Sequence, residues 1–305
     1  EIKKNFLKKN SFVVEFGSND GVLLKPFKDL GVNAVGVEPA SNIAKIAKKK
    51  GLTIFNNFFN LEVTKKIKKN FGYADVICAN NVFAHMDDIH KPMKGIKFLL
   101  KNDGLFVIEV HYLVDLLKKY QFDMIYHEHF MYHSLIALET LFKKYQMKIF
   151  NVKKIKTHSG SIRVFVQNFS GKRKKNINVK KMINEEKRIG VNKIKIYQKF
   201  ETQINIKKKK LFTILKELKK QKKTIAGYGA SGRATMIINY YEIENFIDYV
   251  FDASIERIGR IIPGTKIPII NSININKKKP DYVIMFAYNY KKEIMDKEKR
   301  FIKAG

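Results

Sequence analysis

Residues 126 to 133 read Tyr-His-Glu-His-Phe-Met-Tyr-His and hold three of the seven histidines of the chain. Histidine exchanges a proton near neutral pH with little tuning, so such a cluster suits general acid–base work. His129 is one candidate base, and Tyr126 stands three residues before it. Glu128 either orients an imidazole or binds substrate. His129 and His133 lie four apart and on a helix would share a face able to hold a metal. A metalloprotease helix needs Glu directly after the first His, however, and Phe130 stands there, so no metal is expected. His133 and His111 read as ordinary polar or core residues. Two further histidines lie in telling contexts: His85 follows Asn80-Asn81-Val82-Phe83-Ala84, and His158 opens a stretch carrying Ser161 and Arg163.

A second constellation is built for binding. In Val13-Val14-Glu15-Phe16-Gly17-Ser18-Asn19-Asp20-Gly21 an apolar run carrying an acid ends in a turn bracketed by two glycines. Glycine permits positive φ and lets a ligand approach the backbone. The spacing is not the G-x-G-x-x-G of dinucleotide binders, and no Gly-Lys-Ser/Thr follows to make a P-loop. Glu38, before Pro39, ends the next apolar run 21 residues after Gly17. A carboxylate there can accept hydrogen bonds from both ribose hydroxyls. Glu15 can meet the cationic amino acid part of S-adenosylmethionine (SAM). This order of acid, glycines and acid is similar to the class I SAM methyltransferases.

The elements that must carry these residues alternate. Ser11–Phe16, Ala34–Glu38, Leu52–Phe55, Ala74–Ala79 and Gly104–Val110 read as strands. Helical patterns near Val22–Leu30 and Ser41–Lys50 separate the early ones, which argues a parallel sheet with its loops along one edge. Tyr126–Tyr145 becomes helical after its aromatic start, and Lys148–Lys153 and Ser161–Asn168 read as closing strands. Residues 172–223 are lysine-rich, helical in period and free of proline. A second α/β pattern follows, with strands at Thr224–Tyr228, Ile247–Phe251 and Pro280–Phe286 and a final helix at Lys291–Lys303. Three parts are expected: a SAM-binding domain over 1–170, a helical connector over 171–223, and a smaller Rossmann-like domain over 224–305 on the substrate side.

That last part opens with Gly227-Tyr228-Gly229-Ala230-Ser231-Gly232-Arg233, which does spell G-x-G-x-x-G. Its backbone N–H groups and Arg233 suit an anion, and Asp252 mimics the acid that holds a ribose in dinucleotide sites. A lone match of this kind is also met as a structural turn, and nicotinamide binding stays an alternative at this point. Arg257 and Arg260 can line the same cleft.

The net charge of +32 invites a nucleic-acid reading, but the lysines are spread through nearly every segment and no nucleic-acid motif accompanies them. No nucleic-acid partner is expected, and a basic surface would still attract an anionic substrate. A single cysteine, Cys78, excludes an internal disulfide and a CxxC zinc site. No apolar run approaches the ~18 residues of a membrane span, and the expectation is a cytoplasmic protein without membrane contact, as a monomer. The chain opens on Glu1 and ends abruptly at Ala304-Gly305, so a trimmed piece of a longer protein is expected.

Several long motifs, in order, resemble one family: the sugar C-methyltransferases that modify nucleotide-linked deoxysugars. They are VEFGSNDGVLL, GVEPASNIAKIAKKKGL, ANNVFAHMDDIH, LLKNDGLFVIEVHYLVDLL, FDMIYHEHFMYHSL, HSGSIRVFV, GYGASGRATMIINY and GRIIPGTKIPI. The resemblance implies a Rossmann-like class I methyltransferase domain and a second, smaller Rossmann-like α/β domain joined by long helices. It implies SAM as cofactor, and proton abstraction next to the ketone of a 4-keto deoxysugar with methylation at that carbon. Oxygen or nitrogen methylation of a related sugar or small molecule is the alternative. His129 matches the family's base, and the resemblance implies Tyr126 beside it as a polar contact to the sugar. Gly17, Ser18, Asn19, Gly21, Glu38, Pro39, Asn57, Phe58, Asn80 and Asn81 would line the donor. His85, His158, Ser161, Arg163, Tyr228, Gly229, Ser231, Arg233, Asp252 and Arg260 would face the sugar nucleotide. Asn57 stands where the family often has Asp, and amide donors and acceptors still suit an adenine edge. The family's N-terminal zinc domain has no counterpart here, so zinc is not expected.

Overall fold

The computed structural model describes residues 2–303, apart from the side chains of Lys3 and His158. The chain forms two compact units. One holds Glu1–Asp115 and Glu128–Asn192, the other Leu116–His127 and Lys193–Gly305.

The first unit begins with α1 (Ile2–Phe6), β1 (Phe12–Phe16), α2 (Leu24–Asp29), β2 (Asn33–Val37), α3 (Ser41–Lys49) and β3 (Thr53–Phe55). It continues with α4 (Leu61–Phe71), β4 (Ala74–Asn80), α5 (His90–Leu99), β5 (Leu100–His111) and α6 (Leu113–Lys119), whose last residues pass into the second unit. After the chain returns come α7 (Leu135–Lys144), β6 (Met147–Ile155), β7 (Ser161–Asn168) and α8 (Ile177–Ile189). The seven strands lie in the order β3-β2-β1-β4-β5-β7-β6. The first five are parallel, and β7 runs antiparallel to both β5 and β6. Every residue of β1 is buried, as a strand covered on both faces requires. Phe16 stacks on Phe59 at 4.3 Å between ring centroids, near the centre of the core. Local signals set the helix ends. The Asn60 side chain caps α4 by accepting from the Val63 N–H at 3.0 Å, and Gly190 closes α8 in the left-handed region.

The second unit holds α9 (Ile194–Lys220), β8 (Ile225–Tyr228), α10 (Gly232–Tyr241), β9 (Tyr249–Asp252), β10 (Ile269–Asn271), α11 (Ile275–Lys278), β11 (Tyr282–Met285), α12 (Lys291–Lys297) and α13 (Lys299–Lys303). Its four strands are parallel, in the order β10-β9-β8-β11. The fold is α/β, as expected: a seven-stranded Rossmann-like sheet and a smaller parallel sheet, with a long helix between them in sequence. Two details differ from the sequence reading. Strand β10 was not foreseen, because three residues behind a Pro-Gly turn show no periodicity. The final helix breaks at Glu298, whose carboxylate turns inward to accept from the Tyr228 hydroxyl at 2.7 Å. Among the described residues no helix is long and apolar enough to cross a membrane.

A buried acid fixes the start of α7. Glu186, fully buried on α8, accepts from the backbone N–H of Leu135 at 2.6 Å and of Ile136 at 2.8 Å, while Ser134 accepts from Ala137 N–H. The carboxylate serves donors that a helix N-terminus leaves without partners. Glu186→Ala strips charge-assisted bonds from a dry site and is expected to lower unfolding free energy by about 2 kcal/mol. Urea denaturation checks this, and a loss under roughly 0.5 kcal/mol would show the cap to be dispensable.

Candidate active site

Strand order reverses between β1 and β4, so the loops leaving these neighbours part in opposite directions and open a crevice at their carboxyl ends. The first glycine turn lies there. Gly17 has φ +62°, and its N–H donates to the Val37 carbonyl at 2.9 Å. A Cβ on Gly17 would stand 2.6 Å from Val82 Cγ2, and one on Gly21, at φ +89°, would stand 2.0 Å from Leu52 Cδ1. No other residue fits this turn without displacing its neighbours.

Glu38 ties the turn to the next loop. One carboxylate oxygen accepts from Asn19 N–H and the other from Ala40 N–H, each at 2.9 Å. Each oxygen keeps a lone pair for a ligand hydroxyl. Asn56, which sequence reasoning passed over, stiffens the same edge. Its amide donates to the carbonyls of Glu38 and Pro39 at 2.8 and 3.0 Å, and its oxygen accepts from the Ser41 hydroxyl. Asn57 accepts from the Phe58 N–H with its own side chain, and Phe58 presents its ring outward at 73 % exposure. Across the crevice Asn80 ends β4, and Asn81 takes φ +53° while its N–H donates to the Glu109 carbonyl.

Two buried groups at this edge lack a partner in the protein: Glu15 Oε2 and Ser18 Oγ. Burial first, and the charge of Glu38 second, push the Glu15 carboxyl from 4.5 up to about 8. An unpaired buried acid beside a glycine cradle suits a cationic ligand, and SAM carries a sulfonium and an ammonium. The residues present fit that cofactor.

The histidine segment is not helical; α7 starts only after it. Phe130 N–H donates to the Ala84 carbonyl at 2.8 Å, and Leu113 N–H donates to the His133 carbonyl at 3.0 Å. The rings of His85 and His129 lie 4.9 Å apart between centroids. His85 Nδ1 stands 2.8 Å from the Glu128 carbonyl, which can only accept. Nδ1 of His85 therefore carries the proton, and in the neutral ring Nε2 keeps its lone pair. His129 also meets Tyr132 edge-on. His133 is a core residue: burial depresses its imidazole to about 4 and leaves it uncharged. The side chain of His158 lies outside the described residues. Near it, Arg163 and Thr157 both donate to the buried Glu109, and the Ser161 hydroxyl donates to the Thr157 carbonyl. The structure thus brings His85, Glu128 and His129 together in the first unit, while Tyr126 belongs to the second.

In the second unit the G-x-G-x-x-G loop is taken up internally. Asp252 accepts from Ala230 N–H at 2.6 Å and Ser254 N–H at 2.7 Å, and Tyr228 donates to Glu298. Gly229, at φ +94°, lies against Ala287. Ser231 precedes the first turn of α10, Arg233 is turned toward Asp123, and Arg260 is exposed. Asp123 was also missed; its one sequence signal is an acid inside the apolar, aromatic run from Tyr120 to Met124.

The chain is similar to known proteins. Residues 156–305 match a family described as C-methyltransferase C-terminal domain, and residues 1–152 one described as methyltransferase domain. The C-methyltransferase NovU of Streptomyces niveus is 36 % identical over 294 residues, which cover 96 % of this chain and 70 % of that protein. The chain belongs to the C-methyltransferase family. It is a SAM-dependent C-methyltransferase, as its motifs led one to expect. Among solved structures, a SAM-dependent methyltransferase from Methanosarcina mazei matches at 15 % identity with a TM-score of 0.42, covering 55 % of this chain and 96 % of that one. Magnesium protoporphyrin IX methyltransferase from Synechocystis PCC 6803 with bound SAH matches at 14 % with a TM-score of 0.41, covering 54 % and 77 %.

The state of Glu15 has a measurable consequence. Its folded pKa exceeds its unfolded one, so its contribution to stability is lost as pH rises from 4.5 through about 8. A cationic donor favours the ionised form. At pH 7 donor binding should therefore release a proton, and affinity should rise with pH toward and beyond about 8. Calorimetry in buffers of different ionisation enthalpy reads this directly. Glu15→Gln should abolish the release; the same release in that variant would assign the proton elsewhere.

Proposed function

We propose that this C-methyltransferase acts on a nucleotide-linked 4-keto deoxysugar, at the carbon next to its ketone, with His129 as the base. The observation that carries the reading is the His85–His129 pair, with the His85 ring held by the Glu128 carbonyl. Carbon becomes a nucleophile for methyl transfer once a proton α to a carbonyl is removed. A base, a donor to the developing enolate oxygen and an aligned methyl are the minimal equipment. His129 takes the α proton on a ring nitrogen. Tyr126, or the Glu128 region of the segment, supplies the polar contact to the sugar oxygen. Bound SAM supplies the electrophilic methyl. Glu15, Glu38, Asn57 and the backbone of the Gly17–Gly21 turn would hold it, with Phe58 against the adenine. The identity to NovU, whose name is that of a C-methyltransferase, supports transfer to carbon.

Incubation with 4-keto sugar nucleotides in deuterated water tests the proposal. The wild type should exchange an α hydrogen and gain a methyl only when SAM is present. His129→Ala should lower both by about a hundredfold or more, with donor affinity unchanged. A variant that exchanges as fast as the wild type would remove His129 from the base role, and loss of donor binding would mark it as structural.

A further inference from the structure

Asp123, buried, and Arg233, partly buried, form an ion pair inside the second unit. Asp123 is 2 % exposed, and it lies in the short turn Phe122–Met124 that the chain makes before Tyr126. Arg233, in the first turn of α10, donates through Nε to its carboxylate. The Tyr288 hydroxyl donates to both carboxylate oxygens at 3.1 Å, and the Arg233 guanidinium lies over the Tyr288 ring at 4.1 Å from its centroid. Phe122 packs on Tyr241 at 4.8 Å and Tyr240 at 5.3 Å, so neighbours of Asp123 are held to the same helix.

One backbone N–H of the second glycine loop and the Nε of its arginine are thereby met by the protein's own carboxylates. Asp252 takes the Ala230 N–H, and Asp123 takes Arg233. Arg233 Nη2 is buried and lacks a partner in the protein.

We infer that Arg233, with Tyr288, is a positioning residue: it clamps Asp123 and so holds the segment leading to Tyr126, and it does not bind substrate phosphate. Tyr126 follows Asp123 by three residues, so its Cα stays within about 10 Å of the clamp. The chain passes into the first unit between His127 and Glu128, where the Glu128 carbonyl and the Phe130 N–H are tied to His85 and Ala84. The segment is therefore held at both ends, by different units. The catalytic consequence rests on the reading of Tyr126–His129 given above; the clamp itself does not.

Hydrogen exchange of residues 120–127, read by mass spectrometry on the full chain, tests the clamp without any substrate. Arg233→Met should speed exchange there by about tenfold or more. Tyr288→Phe, which keeps the ring and loses the hydroxyl, should give a smaller acceleration and covers the case in which Arg233→Met fails to fold. Arg233→Lys should recover part of the protection. Unchanged protection in Arg233→Met or Tyr288→Phe overturns the clamp. Titration with dTDP and with inorganic pyrophosphate should show no difference between wild type and Arg233→Lys, whereas weaker binding in the variant returns Arg233 to a phosphate contact. On a 4-keto sugar nucleotide that the wild type turns over, Arg233→Lys and Tyr288→Phe should lower kcat with KM within about threefold. A raised KM with kcat intact overturns positioning. His129→Ala in the same series fails separately, since an active His129→Ala would remove the catalytic reading while leaving the exchange result standing.

Discussion

Strand β1 runs through the middle of the first sheet with β2 on one side and β4 on the other, and the chain must leave it toward one of them. That reversal of strand order opens the only kind of crevice an otherwise covered parallel sheet offers at its edge. Its width is set by contact. Gly17 approaches Val82 so closely that a single added carbon would overlap it. The first glycine turn, the Asn80–Asn81 corner and His85 all follow from strands ending on this line. A site built on strand ends inherits the rigidity of the ladder beneath it, which is what aligning a methyl donor with a carbon nucleophile demands.

Buried acids organise a protein whose surface is basic. Glu15, Glu38, Glu109, Asp123, Glu186, Asp252 and Glu298 are all buried, while the buried polar residues include no lysine or arginine among those described. Most of these carboxylates accept from backbone N–H groups or from hydroxyls and guanidinium groups of their own unit. Lysine keeps its head in water at little cost, whereas a carboxylate taken inside needs specific donors. The net charge of +32 is thus a property of the surface, and the architecture rests on a handful of the 28 acids.

The two glycine loops show how one backbone motif serves two ends. Both follow a parallel strand, and both contain glycine at positive φ, Gly17 and Gly21 in the first and Gly229 in the second. The first has an unpaired buried carboxyl and hydroxyl beside it, so its capacity for polar contact is unspent. In the second, the Ala230 N–H and the Arg233 Nε are met by internal carboxylates. The difference lies in the neighbours, because a motif supplies donors and only the surrounding fold decides what they meet.

Much was legible in the chain itself. Runs such as Phe12–Phe16, apolar but for Glu15, have to be covered on both faces, and runs of that kind separated by helical patterns argue a parallel sheet. The glycine turn and Glu38 at the next strand end were legible as features of one sheet edge, because both demands are local and set by backbone sterics. The histidine segment was visible as a density of proton-exchanging groups. What the sequence could not show was contact across distance. His85 lies 44 positions from His129 and Asp123 lies 110 from Arg233, and only packing brings each pair together. Whether the two histidines four apart shared a helix face, whether the second glycine loop faced a ligand or a carboxylate, and which acid stayed unpaired were decided by the tertiary structure. Each depends on the order in which strands assemble and on which groups are then left without water, and neither is written in any one stretch of sequence.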